Sequence, residues 1–217
     1  MRTRSLQTTS SRRSVLRVVA GSMLVALSAA GPLAQAALLT PTPAQTEGPF
    51  YPRTLPADRD NDLTQVAGQS HAAQGARLYL TGRVLAIDGT PQSGVTVELW
   101  QCDAFGRYHH VGDDGEPRDD AFQGYGTATT DAEGRFSFKT IRPVAYSGRI
   151  PHLHFKLRNS AGTSLTTQLY IKGDATSGDP VLAMSPAGTQ EKLALALTAA
   201  PGREPGAFQT TFDFVLR

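Results

Sequence analysis

Within Tyr146-Ser-Gly-Arg149-Ile-Pro-His152-Leu-His154-Phe155, a tyrosine, an arginine and two histidines fall inside nine residues, a density of ligand-type side chains that ordinary packing does not require. On a β-strand from Pro151 to Leu157, His152 and His154 share one face while Leu153 and Phe155 share the other. Two imidazoles side by side invite a metal, and imidazole suits zinc, copper, iron and nickel. The flanking Ile150, Leu153, Phe155 and Leu157 imply a strand covered on at least one side, where unpaired imidazoles cost free energy. A solvent-facing pair would need no partner, so an isolated His-x-His is compatible with both a metal and a structural pair.

Further donors must come from elsewhere in the chain. The other three of the five histidines, His71, His109 and His110, all precede the pair. A cupin-type iron or manganese site would add a glutamate shortly after His-x-His and a third histidine further on, and no histidine follows His154. What recurs is tyrosine: Tyr146 stands six residues before His152, and Tyr108 follows the strand-like run that ends in Leu99-Trp100-Gln101. Two phenolates with two imidazoles favour ferric iron, because phenolate is a hard anionic donor. A bound metal also lets a phenol ionise far below its free pKa of roughly 10.

The chain resembles the intradiol ring-cleavage dioxygenases, non-haem ferric enzymes. The resemblance runs in order through Thr46-Glu-Gly-Pro-Phe-Tyr51, Gly94 to Gln101, Gly106-Arg107-Tyr108, Thr130 to Phe136, Thr140 to Pro143, Tyr146, Arg149 and Pro151 to Phe155, and fades through Thr167 to Tyr170 and Gly173-Asp174. It implies Tyr108, Tyr146, His152 and His154 as four protein ligands of Fe(III), Arg149 facing a bound catechol, and Gln168 beside the substrate. It implies that Tyr146 is the ligand a catechol displaces, taking a substrate proton, and that the ring then reacts with O2 and opens to a muconate-type diacid. Arg149 would stabilise negative charge on the ring and the oxygens, an electrostatic role. The gap from Tyr146 to His152 is shorter than in better-known members, and substrate choice is what that departure touches. Wall candidates are Thr46 to Tyr51, His109 to Tyr125 and Ala145 to Arg149. Arg53, Arg107 and Arg142 are candidate cations for a carboxylated substrate.

Each of these residues also has an ordinary role open to it. Tyr108 fits a strand-end tyrosine with a wet hydroxyl, Tyr146 a surface aromatic in a turn, Arg149 a solvated cation and Gln168 an outward strand position. His109 and His110 fit a surface or pocket rim, and Trp100 the core. The charged run Asp113 to Asp120 reads as a solvated loop and lacks the ligand spacing of a calcium loop. The competing class is a non-catalytic periplasmic module, transthyretin-like, that keeps the scaffold and binds a carbohydrate, a polyphenol or another metal.

The amino terminus bears on location. Ser11-Arg12-Arg13-Ser14-Val15-Leu16 precedes an apolar run from Val18 to Ala30 and a small-residue site, Ala34-Gln35-Ala36. This is the pattern of a twin-arginine export signal over residues 1–36, too short for a membrane span, and it predicts a bacterial periplasmic or secreted protein with no stable membrane insertion after processing. Export in the folded state suits a protein that loads iron before release. Without the five arginines of that segment, 16 basic residues face 19 acidic ones, a formal charge of −3 against +2 for the whole chain. The basic balance thus belongs to the leader and offers no support for nucleic-acid binding. A single cysteine, Cys102, excludes an intrachain disulfide and reads as a packed thiol.

Residues 37–76, rich in proline, glycine and polar side chains, read as an extended arm, and residues 77–217 as one β-sandwich domain of mostly antiparallel strands with long loops. Leu78 to Ile87 reads as a strand ending at the hairpin signal Asp88-Gly89, Gly94 to Leu99 as a half-buried strand, and Arg135 to Lys139, His152 to Leu157, Leu165 to Ile171 and Phe208 to Leu216 as further strands. Gln190 to Ala199 alternates as a strand would, although its Ala and Leu content also suits a helix. There is no room for the helical dimerisation region of catechol 1,2-dioxygenases. The resemblance is closer to a protocatechuate dioxygenase subunit, which implies a homo-oligomer or a heteromer with a homologous chain.

Overall fold

The structure, a computed structural model, describes residues 37–160, 162, 164–174 and 178–217, and the expected leader, residues 1–36, lies outside them. Among the described residues ten strands form: β1 (Arg77–Ala86), β2 (Thr96–Trp100), β3 (Tyr125–Thr129), β4 (Arg135–Ile141), β5 (His152–Arg158), β6 (Ser164–Ile171), β7 (Ala194–Leu195), β8 (Thr198–Ala199), β9 (Phe208–Thr211) and β10 (Phe214–Leu216). Two one-turn helices, α1 (Pro180–Ala183) and α2 (Thr189–Lys192), lie between β6 and β7. The expected all-β sandwich is what forms. In one sheet β1 runs antiparallel to β4 and parallel to β9 and β10, and the other has the order β3-β2-β5-β6-β7.

The alternation of strand residues decides where the core sits. Leu153, Phe155 and Leu157 of β5 and Val97 and Leu99 of β2 turn inward, and Phe155 meets Phe138 and Phe214 of the opposite sheet at ring separations of 6.5 and 5.1 Å. Each such side chain contributes about 1.5–3 kcal/mol by leaving water. The outward face of the second sheet therefore carries Glu98 and Trp100, then His152, His154 and Lys156, then Gln168 and Tyr170. Register sets the rows: Trp100 opposes His154, His154 opposes Gln168, and His152 opposes Tyr170.

The hairpin signal Asp88-Gly89 turns the chain back on β1 as far as Gln92, whose N–H donates to Val84 O, before Gly94, at φ 71°, sends the chain to the other sheet. Three expectations are corrected. Phe208 to Leu216 is two strands, β9 and β10, parted at Phe212-Asp213. β2 is not half-buried: Glu98 and Trp100, on its outward face, are also buried, because the arm crosses over that face. Gln190 to Ala199 is not one strand but the last turn of α2 followed by the two-residue strands β7 and β8. At the far side of the molecule, β9 and β10 follow β1 in one register, and the Phe212 carbonyl passes so close to Gly82 that a Cβ there would lie 1.9 Å from its oxygen.

Candidate metal centre

The site is assembled from β5, the loop after β2, a tight turn and the arm. From β5, His152 and His154 point to the same side, with their Nε2 atoms 3.1 Å apart. Nδ1 of His152 lies 2.6 Å from Ile150 O, so it carries the proton and leaves Nε2 bare. Trp100 is buried as expected, though not between the sheets. It lies flat on His154, ring centroids 4.9 Å apart and 15° from parallel, in a second cluster with Cys102, Tyr108 and Tyr125.

Tyr108 is set by two carboxylates in its loop, Asp103 buried and Asp113 partly so. Asp103 accepts from the N–H groups of Phe105, Arg107 and Asp119, and Asp113 accepts from the Tyr108 N–H at 2.9 Å. The run from Asp113 to Asp120 is thus not simply a solvated loop. Asp119 is buried and accepts from Gln74 and Ala121, because folding the loop inward leaves backbone donors that only these carboxylates reach. Gly106, at φ 78°, lets the loop pass the next element: a Cβ there would stand 3.0 Å from the Cβ of Tyr146.

Tyr146 and Arg149 flank a two-residue turn. Tyr146 N–H donates to Arg149 O at 3.1 Å and Arg149 N–H to Tyr146 O at 2.7 Å, while Ser147 (φ 42°) and Gly148 (φ 75°) occupy the left-handed region, as in a type I′ hairpin turn. Directly opposed residues present their side chains on one face, so the short gap before His152 places phenol and guanidinium together. The Tyr146 ring lies 5.2 Å from that of Tyr108 and 5.5 Å from His152, with its Oη 3.5 Å from His152 Nε2.

Four sequence-predicted donors, Tyr108, Tyr146, His152 and His154, are thereby brought together, and their chemistry fits a cation. Tyr108 Oη and His154 Nδ1 are buried without a hydrogen-bond partner, which an apolar pocket would not tolerate without compensation. Burial pushes the Tyr108 phenol well above its ordinary value and Tyr146 up, while it pulls His152 down to about 4 and His154 well below its ordinary value. Without a metal, all four are neutral at pH 7. Among the described residues no three His, Cys, Asp or Glu side chains gather as a cation site, so tyrosines are what complete this set. Cys102 is a packed thiol beside it, raised to about 12 by burial.

The arm roofs the set. Phe50 stacks on Tyr108 at 4.6 Å, Gly48 lies against His154, and Tyr51 Oη donates to buried Glu98 at 2.6 Å. Lys156, paired with Glu47, sits over the Tyr51 ring at 4.0 Å. Arg149 Nε donates to Asp179 and its Nη2 to Gln168 Oε1, while Gln168 Nε2 donates to the arm carbonyl Thr46 O at 2.8 Å. Sequence reasoning missed Asp179. Asp179-Pro180 carries the signature of a helix start, but nothing local connects it with Arg149, thirty residues earlier. Of the other candidate cations, Arg142 is taken by Asp174 at 2.7 Å and Arg107 faces Asp113 at 3.5 Å. His109 lines a cavity of about 120 Å3 with Trp100, Tyr108 and Gln123, on the rim of the site. A larger groove of about 810 Å3, lined by Thr81, Arg83, Thr127 and Asp213 among others, lies away from all four donors.

Comparison with known proteins agrees with this geometry. A family model described as Dioxygenase matches residues 46–217. The protocatechuate 3,4-dioxygenase beta chain of Burkholderia cepacia is 38% identical over 168 residues, covering 73% of this chain and 72% of that protein. Catechol 1,2-dioxygenase 2 of Acinetobacter lwoffii is 32% identical over 61% of this chain, which spans about half (52%) of that relative's length. Among solved structures, the dioxygenase domain of a carbohydrate-binding fusion protein from Streptomyces sp. SirexAA-E superposes with a TM-score of 0.63 at 31% identity, covering 82% of this chain and 98% of that one. Sheet architecture, gathered phenols and imidazoles, and these matches give one result: the chain belongs to the intradiol ring-cleavage dioxygenases, which are ring-cleaving oxidoreductases.

Proposed function

We propose that the protein is a non-haem Fe(III) enzyme that inserts both atoms of O2 into a catechol-type aromatic, cleaving the ring between the hydroxyl-bearing carbons to a muconate-type diacid. The observation that carries this is the convergence of two phenols and two imidazoles, from three chain segments, beside an anchored arginine. Tyr108, Tyr146, His152 and His154 would hold the iron. Bound Fe(III) supplies a Lewis acid for both catechol oxygens and an acceptor for ring electron density.

The remaining steps belong to the side chains. Tyr108 is almost fully buried, whereas Tyr146 stands half-buried at the tip of its turn, so Tyr146 is the phenolate free to swing out and take a catechol proton at Oη. His152 is kept in one tautomer by Ile150 O. Arg149, a permanent cation, faces the ring and stabilises the charge that develops there. Gln168 stands at the same place and reaches the substrate side through Arg149. Phe50 and Trp100 exclude water from the donors. All four donors come from one chain, so the donor set needs no second subunit to be complete, whether the protein works as a homo-oligomer or beside a homologous chain. The twin-arginine pattern supports activity in the periplasm or outside the cell.

The test is a visible spectrum of the iron-loaded mature protein, before and after anaerobic catechol or protocatechuate, then with oxygen admitted. A broad tyrosinate-to-iron band that moves to longer wavelength and then gives way to a muconate-type absorbance is expected. A colourless protein with iron confirmed bound would overturn the proposal and leave the non-catalytic binding module.

A further inference from the structure

Arg149 is held from two sides. Its Nε donates to Asp179 Oδ2 at 2.9 Å and its Nη2 to Gln168 Oε1 at 2.7 Å, and no hydrogen bond occupies Nη1 among the described residues. Both anchors are themselves immobile. Gln168, wholly buried, is oriented by donating to Thr46 O and by accepting from Tyr170 Oη at 3.2 Å. Asp179 is 1% exposed and accepts four N–H groups. Oδ1 takes Val181 and Leu182 of α1 at 2.9 and 3.1 Å, whereas Oδ2 takes Arg149 Nε and the Ile150 N–H at 3.1 Å. Burial alone would raise this carboxyl, but the hydrogen bonds from Arg149, Ile150 and Leu182 outweigh it and leave it below the ordinary aspartate value.

The two oxygens therefore do different things. Capping a one-turn helix needs Oδ1 only, and serine caps as well as aspartate. Oδ2 looks the other way, at the guanidinium opposite Tyr146 across the turn. An unanchored arginine carries rotamer entropy that must be surrendered whenever it meets a reacting group. Fixing Nε and Nη2 to two rigid acceptors removes that freedom in advance and leaves the planar group one orientation, with the Nη1 donors unspent.

We infer that Asp179 is a positioning residue for the ring-cleavage reaction: through Oδ2, and with Gln168 as second anchor, it holds the Arg149 guanidinium in the plane that meets the substrate. The inference rests on the dioxygenase function proposed above. It makes Asp179 act on the substrate through Arg149; Oδ2 touches none of the four donors, and its one other bond is to the Ile150 N–H.

The experiment uses the full mature chain with Asp179→Ser, which keeps a cap and cannot reach Arg149. Asp179→Asn serves as a second variant, of equal size, that caps through Oδ1 and presents NH2 where Oδ2 accepted. Iron content and the substrate-free visible band should match wild type. Catalytic efficiency toward catechol should fall on the order of 10²-fold, the scale expected when a reacting group is misplaced by about 1 Å. In an Arg149→Ala background the same change should add less than about twofold. Nitrogen-15 NMR of the metal-free protein gives a readout independent of turnover: a slowly exchanging Arg149 Nε–H in wild type that is lost in both variants. Independent, multiplicative losses in the double variant, loss of the iron band, or an unchanged Nε–H signal would each overturn the inference. A wild type that turns over no catechol would instead sink the proposed function, with the NMR result still deciding whether Asp179 holds the guanidinium.

Discussion

His152 shows how much is settled at a single side chain. Its Nδ1–H is committed to Ile150 O, so replacing it with alanine removes one donor and should cost most of the bound iron, read as metal per chain and loss of the visible band. Tyr108→Phe separates stability from binding. Deleting a buried hydroxyl that has no partner should stabilise the metal-free protein by about 1 kcal/mol in urea unfolding, while the iron-loaded protein, left with Tyr146 as its one tyrosinate, should show a weakened and shifted visible band. Acid dependence follows from Asp179, whose carboxyl is held below its unfolded value. Such a group contributes stability above the unfolded pKa, roughly 3.9, and loses it as pH falls through the folded pKa. The stability gap between wild type and Asp179→Asn should therefore be full at pH 6 and shrink at pH 3.

Among the elements, the turn between Tyr146 and Arg149 is the sensitive one. Among the described residues Ser147 is the one non-glycine residue at positive φ, and a β-branched side chain resists that region strongly. Ser147→Val should cost about 1–2 kcal/mol and lower activity by moving phenol and guanidinium apart, whereas Ser147→Gly should leave both intact. Unfolding curves beside catechol turnover check this pair. The loop glycine Gly106 faces the same constraint from the other side, so Gly106→Ala should displace Tyr146 and shift the visible band.

For the molecule as a whole, the arm decides whether the outward face of the second sheet is interior or surface. It brings Phe50 onto Tyr108, Tyr51 onto Trp100 and Glu98, and Thr46 to Gln168. A chain beginning at Pro52 should keep its β-sheet circular dichroism, since the sandwich core uses none of the deleted residues, yet surrender iron to a chelator much faster than the mature protein. The proposed export is a whole-molecule property too. Arg12→Lys with Arg13→Lys should retain the protein in the cytoplasm, as fractionation would show.

The histidine pair was legible because chemistry and spacing coincide locally: a His-x-His on a strand shares a face whatever surrounds it. Tyr146 lies close along the chain, but Tyr108 stands 44 residues before His152 and joined the expected set through the family resemblance. Most strands and the sandwich were legible for the same reason, since period-two alternation is a property of neighbours along the chain; β3, Tyr125-Gly-Thr-Ala-Thr129, lacks that alternation of apolar side chains and was not foreseen. Gly94 hid the departure of β2 to the other sheet, because a turn signal states that the chain reverses and not which strand it rejoins. What only tertiary structure decided is everything that depends on distance in space: the tautomer of His152, the arm as roof, the burial of Asp119, and the pairing of Asp179 with Arg149 across thirty residues. Alternation selects a face, but only packing against other segments determines whether that face meets water, a partner or an ion.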